Sequence, residues 1–184
     1  GKLIPSSWLR IPREVALNIH PSLLPKYRGA APIPWQILGG EKETGVTIAE
    51  VTKELDAGDI FCQLRVPLDK KETAASLTRN LAILATKALQ QVLGAVQQKK
   101  LTRTLQKAEK ACSARKFSKE DGWLDLNESA ELLERKIRAL DPWPGAFISY
   151  RKKPLRIGEA DCDSVACAEA KLAQLGYTDL AVLE

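Results

Sequence analysis

The sequence predicts an α/β domain followed by a smaller, β-rich unit. Short runs rich in β-branched residues are separated by turn signals, and one long stretch carries apolar residues at helical spacing. A charged segment without a core pattern follows that stretch. These observations divide the chain into residues 1–98, a linker over residues 99–112 and a second unit over residues 113–184.

Three strands are predicted in the first unit. Residues 15–19 (VALNI) form a short apolar run that ends at His20. Residues 44–51 (TGVTIAEV) alternate and are rich in β-branched side chains, and residues 60–67 (IFCQLRVP) follow a turn at residues 56–59. We expect the three strands to lie in one sheet.

Two helices accompany these strands. A Pro- and Gly-rich loop over residues 21–32 leads into a helix that ends before Gly39 and Gly40. A longer helix begins at Glu72 and Thr73. Its apolar residues recur at the spacing of one helical face: Leu77, Leu81, Leu84, Ala88, Leu89, Val92 and Val96.

The second unit combines a helix with strands. Residues 129–140 (SAELLERKIRAL) have the pattern of an amphipathic helix, and residues 141–145 (DPWPG) end it. Residues 146–150 and 154–157 are predicted strands around a basic turn at residues 151–153. Trp123 and Trp143 are interpreted as core residues, because burial is the usual role of large aromatic side chains.

The composition is that of a folded, water-soluble protein, with 45% hydrophobic and 28% charged residues. No apolar run approaches the roughly 20 residues of a membrane-spanning helix, and no secretory leader is visible at the N-terminus. The chain contains no Met, so we do not expect residue 1 to be the natural start. The cysteines match no zinc spacing, and we expect free thiols, a cytoplasmic location and no metal: Cys62, Cys112, Cys162 and Cys167.

The positive charge is concentrated in the middle of the chain. The net charge is +5, but residues 99–156 hold 15 Lys and Arg against 8 Asp and Glu, a net charge of +7. Residues 157–184 hold 1 basic against 6 acidic residues, a net charge of −5. The basic region predicts a polyanionic partner, whereas an isolated charge run is more often only a solvated surface.

Polar side chains at two strand ends form the candidate site. Asn18 and His20 are two residues apart on a predicted strand, so their side chains point to the same side. Asp56 follows 36 residues after His20, at the end of the next strong strand. Ligands of open α/β sheets bind beyond the carboxyl ends of strands. Each residue alone is more typical of a cap or a turn.

Two segments carry a resemblance to a known family. Residues 18–29 (NIHPSLLPKYRG) and 54–60 (ELDAGDI) closely resemble the sequence signature of the folate-dependent formyltransferase superfamily. The resemblance implies that Asn18, His20 and Asp56 are catalytic, and that 10-formyltetrahydrofolate is the co-substrate. It also implies that four neighbouring residues form part of the folate site: Ser22, Leu23, Leu24 and Pro25.

Formyl transfer has a use for each of the three catalytic residue types. An amine attacks the formyl carbon and negative charge develops on the formyl oxygen, to which the Asn18 amide and the His20 imidazole can donate hydrogen bonds. A carboxylate at position 56 orients the imidazole and favours its charged form. The same carboxylate, directly or through a water molecule, can help to remove a proton from the amine.

Further segments resemble one branch of the superfamily. Residues 28–33 (RGAAPI), 117–121 (FSKED) and 138–146 (RALDPWPGA) resemble the branch that formylates methionyl-tRNA, rather than the purine-pathway branch. The resemblance implies a partial Rossmann-like formyltransferase domain followed by a small OB-like β-barrel that contacts tRNA. The partner would be initiator methionyl-tRNA, the process translation initiation, and the protein a monomer without a membrane partner.

Two parts of the chain stand apart from this resemblance. We expect the N-terminal part of the family's catalytic domain to precede Gly1. Residues 166–175 fit a helix by pattern, whereas the family comparison favours strands, and the segment after Gly158 resembles nothing in the family. A sugar-nucleotide formyltransferase, the hydrolase-like domain of formyltetrahydrofolate dehydrogenase and a non-catalytic tRNA-binding fragment stay open as alternatives.

Overall fold

The computed structural model describes Pro5 and residues 7–160. Three short 3-10 helices lie at Trp8–Arg10, Ala108–Lys110 and Glu120–Gly122. The longer elements follow in the order β1 (Leu17–His20), β2 (Arg28–Gly29), α1 (Pro32–Leu38), β3 (Glu43–Glu50), β4 (Ile60–Pro67), α2 (Ala74–Gln97), β5 (Ser113–Ala114), α3 (Ala130–Leu140), β6 (Ala146–Tyr150) and β7 (Lys153–Ile157).

β1, β3 and β4 lie in one sheet, as the sequence predicts. The structure adds that the strands are antiparallel and that β3 is in the centre. Val46 and Ile48 of β3 are fully buried and pack in the hydrophobic core. Thr47 is also fully buried, but it lies on the opposite face because side chains alternate along a strand. His20 of β1 pairs with Thr47 and shares its face. The sheet therefore has one core face and one face that carries the candidate site.

The helix α2 covers the core face of the sheet. Its N-cap is Thr73, whose hydroxyl accepts a hydrogen bond from the Ser76 backbone, so the helix begins where the sequence predicts. The buried residues of α2 are four of those at the predicted helical spacing: Leu77, Leu81, Ala88 and Val92. Among the described residues, no helix has the length and apolar character needed to cross a membrane.

The segment after α2 packs closely on the first unit. Thr104 and Ile60 exchange two backbone hydrogen bonds of 2.8 and 2.9 Å, and β5 pairs in parallel with β2. The domain boundaries stay a prediction. The predicted linker, however, lies along the edge of the first unit and contacts it over much of its length.

The second unit contains the predicted helix and hairpin. Ser129 is the N-cap of α3, and β6 pairs with β7 around a turn in which Arg151 and Lys152 have positive φ. In the portion of the chain that the structure describes, these elements form no closed barrel, so the OB-like fold stays a prediction. Residues 166–175 lie outside the described residues.

The interpretation of Trp123 and Trp143 as core residues is wrong. Trp123 is 48% exposed and Trp143 is 51% exposed. The Trp123 ring contacts the Phe147 ring in a tilted arrangement, with the ring centroids 6.1 Å apart. The contact between the two units is made by other residues: Trp35 stacks on Phe117 at 5.0 Å, and the indole of Trp35 donates to the Arg115 carbonyl oxygen.

Candidate active site

The three predicted catalytic residues lie together. Asn18 and His20 project from the same face of β1, because they are two residues apart on a strand. Asp56 lies in the loop between β3 and β4 and faces both of them. The Asn18 amide Nδ2 donates to Asp56 Oδ1 at 3.0 Å, and His20 Nδ1 lies 3.6 Å from Asp56 Oδ2.

Asp56 is held in an uncommon backbone conformation. Its φ is +52°, in the left-handed region that costs a non-glycine residue about 1–2 kcal/mol. Its side chain offsets part of this cost by accepting from Asn18 and, at 2.9 Å, from the Gly29 backbone N–H. Both carboxylate oxygens therefore have partners, and the side chain is only 9% exposed.

His20 is also nearly buried, at 4% exposure. Its Nε2 lies 2.8 Å from the Tyr27 carbonyl oxygen and its Nδ1 faces the Asp56 carboxylate. Both ring nitrogens thus face oxygen atoms that can accept a hydrogen bond. The short contact between Nε2 and the Tyr27 carbonyl oxygen fixes the ring, and the contact between Nδ1 and the Asp56 carboxylate is longer, at 3.6 Å.

Asp59 lies on the same loop as Asp56 but does not join the cluster. Its backbone carbonyl accepts from the Glu50 N–H at 2.9 Å, which ties the loop to the end of β3. Its side chain forms no hydrogen bond or ion pair with the residues that the structure describes. The carboxylate that faces His20 is that of Asp56.

Two polar side chains, the fully buried Thr47 and the half-buried Gln63, hold the loop over residues 21–25. The Thr47 hydroxyl donates to the Ser22 carbonyl oxygen at 2.6 Å and accepts from the Leu24 N–H at 3.2 Å. The Gln63 amide donates to the Leu24 carbonyl oxygen at 2.9 Å. These partners satisfy the backbone of a loop that crosses a sheet face, where unpaired groups would be costly.

Leu23, Leu24 and Pro25 line a cleft of about 200 Å³ beside this loop. Tyr27 also lines the cleft and connects it to the cluster, because its carbonyl oxygen binds His20. Ser22 has a different place: it is fully buried, and its hydroxyl donates to the Lys26 carbonyl oxygen at 2.7 Å. The folate assignment of these four residues stays a prediction.

The lining of this cleft also includes an ion pair between Lys26 and Glu41. Lys26 and the Tyr27 hydroxyl each donate to Glu41 Oε1 at 2.8 Å. Burial raises the pKa of Tyr27, and the Glu41 carboxylate raises it further. Burial alone would raise the pKa of Glu41, but the hydrogen bonds from Lys26 and Tyr27 lower it below its ordinary value.

One residue of the site was missed by the sequence analysis. Gln106 lies in the predicted linker, and its amide Nε2 donates to the carbonyl oxygens of Asp56 and Gly58 at 2.8 and 2.7 Å. Its Oε1 accepts from Arg28. A polar residue in a charged segment gave no signal of this role.

Comparison with known proteins identifies two regions of the chain. The family described as formyl transferase matches residues 1–93, and the formyl transferase C-terminal domain matches residues 116–178. The chain is 41% identical over 160 residues to a methionyl-tRNA formyltransferase of Marinobacter nauticus, covering 87% of this chain and 51% of the relative. The corresponding enzyme of Treponema pallidum is 38% identical over 181 residues, covering 98% of this chain and 54% of the relative. The chain thus spans about half the length of these curated relatives.

Solved structures give the same assignment of fold. HypX from Aquifex aeolicus, in complex with tetrahydrofolic acid, superposes with a TM-score of 0.67 and 26% identity over 77% of this chain and 25% of that protein. A 4-N formyltransferase from Francisella tularensis superposes with a TM-score of 0.74 and 20% identity over 89% of this chain and 68% of that protein.

Proposed function

Because the chain belongs to the formyl transferase family, we propose that the protein transfers a formyl group from 10-formyltetrahydrofolate to the amino group of methionyl-initiator-tRNA. The curated relatives support methionyl-tRNA as the acceptor. The product would serve translation initiation in the cytoplasm. The observation that carries the proposal is the meeting of Asn18 and His20 at one carboxylate, that of Asp56.

The first role is to stabilise negative charge on the formyl oxygen. The Asn18 amide has two N–H groups, of which one is bound to Asp56, so the second is free to donate to that oxygen. His20 Nε2 is already bound to Tyr27, whereas Nδ1 lies 3.6 Å from Asp56 Oδ2, which is longer than a hydrogen bond, so we assign the second donor to Nδ1. Donors fixed in a site with little water stabilise such charge more strongly than water does.

The second role is to accept the proton that the attacking amine releases. The Asp56 carboxylate lies beside the His20 ring, with Oδ2 3.6 Å from Nδ1, where it orients the ring. The same carboxylate is the nearest acceptor for a proton that leaves the amine, directly or through a water molecule. The reaction thus needs both the charge and the position of Asp56.

The folate would bind in the cleft beside the loop over residues 21–25. Leu23, Leu24 and Pro25 give the cleft an apolar wall, which suits a flat aromatic ring system. Ser22 is buried behind this wall and would act by shaping the loop. Thr47 and Gln63 hold the loop before any ligand arrives, so binding requires little ordering.

The tRNA would bind across the basic region over residues 99–156. Arg151 and Lys152 in the turn between β6 and β7, and Lys153 at the start of β7, are all exposed to solvent. Phosphate contacts from such residues supply much of the affinity for nucleic acid. We assign the second unit to an OB-like barrel and the protein to a monomer, with the domain boundaries predicted above.

The test uses the full-length protein with 10-formyltetrahydrofolate and three acceptors: initiator methionyl-tRNA, elongator methionyl-tRNA and an amino-sugar nucleotide. We expect formyl-methionine to form on the initiator tRNA, and the His20→Ala variant to be slower by a factor on the order of 10²–10³. Lys87→Ala, an exposed change on α2, is the matched control. Formylation of the amino sugar alone would assign the protein to another branch, and tRNA binding without turnover would make it a binding protein.

A further inference from the structure

Resting on the proposed function, we propose that Gln106 is a positioning residue of the active site, which holds Asp56 in its reactive conformation. The reaction would then depend on a side chain from the segment after α2, outside β1 and the β3–β4 loop, which carry Asn18, His20 and Asp56. Gln106 touches no reacting atom and acts through Asp56.

Gln106 is oriented by its neighbours on both sides. The bridge between Thr104 and Ile60 fixes the segment just before it. After it, the Cys112 carbonyl oxygen accepts from the Arg28 N–H at 2.9 Å, and β5 pairs with β2. Every other residue from position 102 to 110 is exposed, whereas Gln106 is half-buried. The segment thus directs one side chain inward.

The amide of Gln106 uses its full hydrogen-bonding capacity. Its two N–H groups match the carbonyl oxygens of Asp56 and Gly58, at 2.8 and 2.7 Å. Its oxygen accepts from Arg28 Nε at 3.1 Å and Nη2 at 2.8 Å. A fully satisfied amide in a partly buried place fixes its surroundings, because any displacement leaves several groups unpaired.

These bonds join the two loops that meet at the Asp56 carboxylate. One is the loop that contains Asp56 and Gly58, and the other is the loop over residues 21–32, in which Arg28 and Gly29 form the short strand β2. The Gly29 N–H binds Asp56 Oδ2 directly, so the Gln106 bridge and the carboxylate contact span the same pair of loops. Asp56 has a φ of +52° and needs such support, since strained backbone persists only when its surroundings fix it.

The bond pattern distinguishes two substitutions. Gln106→Glu keeps an acceptor for Arg28 but has no N–H for the two carbonyl oxygens, which it faces with negative charge. Gln106→Ala removes both sets of bonds. Arg103→Ala is the matched control, because Arg103 lies in the same segment but binds Glu50 and covers Phe61, away from Asp56.

The kinetic test measures kcat and KM in the full-length protein. We expect Gln106→Glu and Gln106→Ala to lower kcat by about 10-fold to 100-fold, since small misplacements of a catalytic group have costs of this order. KM for both substrates should change little, and Arg103→Ala should keep kcat. In an Asp56→Asn background the Gln106 substitutions should have almost no further effect, because both changes remove the same function. Equal effects of Gln106→Ala in both backgrounds would overturn the proposal.

A second measurement separates this proposal from the proposed function. Hydrogen exchange of the Gly29 amide, followed by NMR, reports its bond to Asp56 whatever reaction the protein performs. We expect the exchange rate of the Gly29 amide to rise at least about 10-fold in Gln106→Glu, because the Asp56 carboxylate that accepts from it is no longer held in place. It should be unchanged in Arg103→Ala. Unaltered protection in Gln106→Glu would refute the positioning role, even in a protein that forms no formyl-methionine.

Discussion

The Asn18 amide donates to the Asp56 carboxylate at 3.0 Å, although the two residues lie 38 positions apart in the chain. β1 and β3 bring about this contact. Asn18 pairs with Ala49 across the sheet, and the loop after β3 then returns Asp56 to the face from which Asn18 projects. The site therefore depends on the sheet register, on the loop over residues 21–25 and on the segment after α2.

The loop over residues 21–25 should be sensitive to Thr47. Thr47→Val removes a hydroxyl that bonds to the backbone of Ser22 and Leu24, and it leaves those buried groups without partners. We expect the free energy of unfolding to fall by about 1–3 kcal/mol. Urea unfolding measures it. Thr86→Val is the control, because Thr86 is exposed on α2, and a loss as large as that at Thr47 would contradict this account.

Gly29 and Gly94 should respond oppositely to alanine. Gly29 has a φ of +126°, and an added Cβ would lie 2.6 Å from the Ala114 carbonyl oxygen, so Gly29→Ala should destabilise the protein and displace the donor to Asp56. Gly94 lies within α2 with open space around it, so Gly94→Ala should stabilise by about 0.5–1 kcal/mol. Thermal unfolding of both variants measures the two signs. An unchanged melting temperature in Gly29→Ala would show that Ala114 of β5 does not lie as close to Gly29 as described.

Glu41 should contribute stability that depends on pH. Its pKa is lowered in the folded protein from an ordinary value of 4.5, so its contribution is present above that value and is lost as the pH falls through the folded pKa. The difference in unfolding free energy between wild type and Glu41→Gln should therefore shrink as the pH falls below about 4.5. Urea unfolding at a series of pH values measures it. A difference that grows towards acid would have the wrong sign, and the exposed Glu109→Gln is the control.

The basic turn between β6 and β7 should contribute to tRNA affinity through charge. Reversal of Lys152 and Lys153 to Glu should weaken tRNA binding and leave folate binding nearly intact. Affinity of the wild type should fall by roughly 0.7–0.9 log units per tenfold rise in salt for each phosphate contacted. Titration over a range of salt concentrations measures the slope, with Lys87→Glu on α2 as the control. Equal slopes in wild type and double variant would show that the turn is only solvated.

Local patterns predicted most of the first unit. The alternation in residues 44–51 and the helical spacing after Thr73 both indicate which side chains are buried. As a result, β3 and α2 lie where the sequence predicts. The grouping of Asp56 with Asn18 was predicted from the family resemblance, not from a local pattern. The pairing of β5 with β2 and the bonds of Gln106 could not be predicted, because two-residue strands and one polar side chain have no periodicity.

The exposure of Trp123 and Trp143 in the second unit could not be predicted from the local sequence either. Residue type favours burial of an indole, but the burial of each ring is decided by the neighbours that the fold supplies. Phe117, in contrast, is 7% exposed because Trp35 of the first unit stacks on it. The contact between units thus selects which aromatic residues are buried.

The proposed role of the Asp56 carboxylate in the reaction is tested by a comparison of Asp56→Asn with Asp59→Asn. The two carboxylates lie on one loop, but only Asp56 faces Asn18 and His20. The measurement is kcat for formylation of initiator methionyl-tRNA by the full-length protein. We expect Asp56→Asn to lower kcat by about 10²-fold or more, since it keeps the shape but removes the charge, and Asp59→Asn to stay near wild type. Equal losses in the two variants, or a larger loss in Asp59→Asn, would contradict the account.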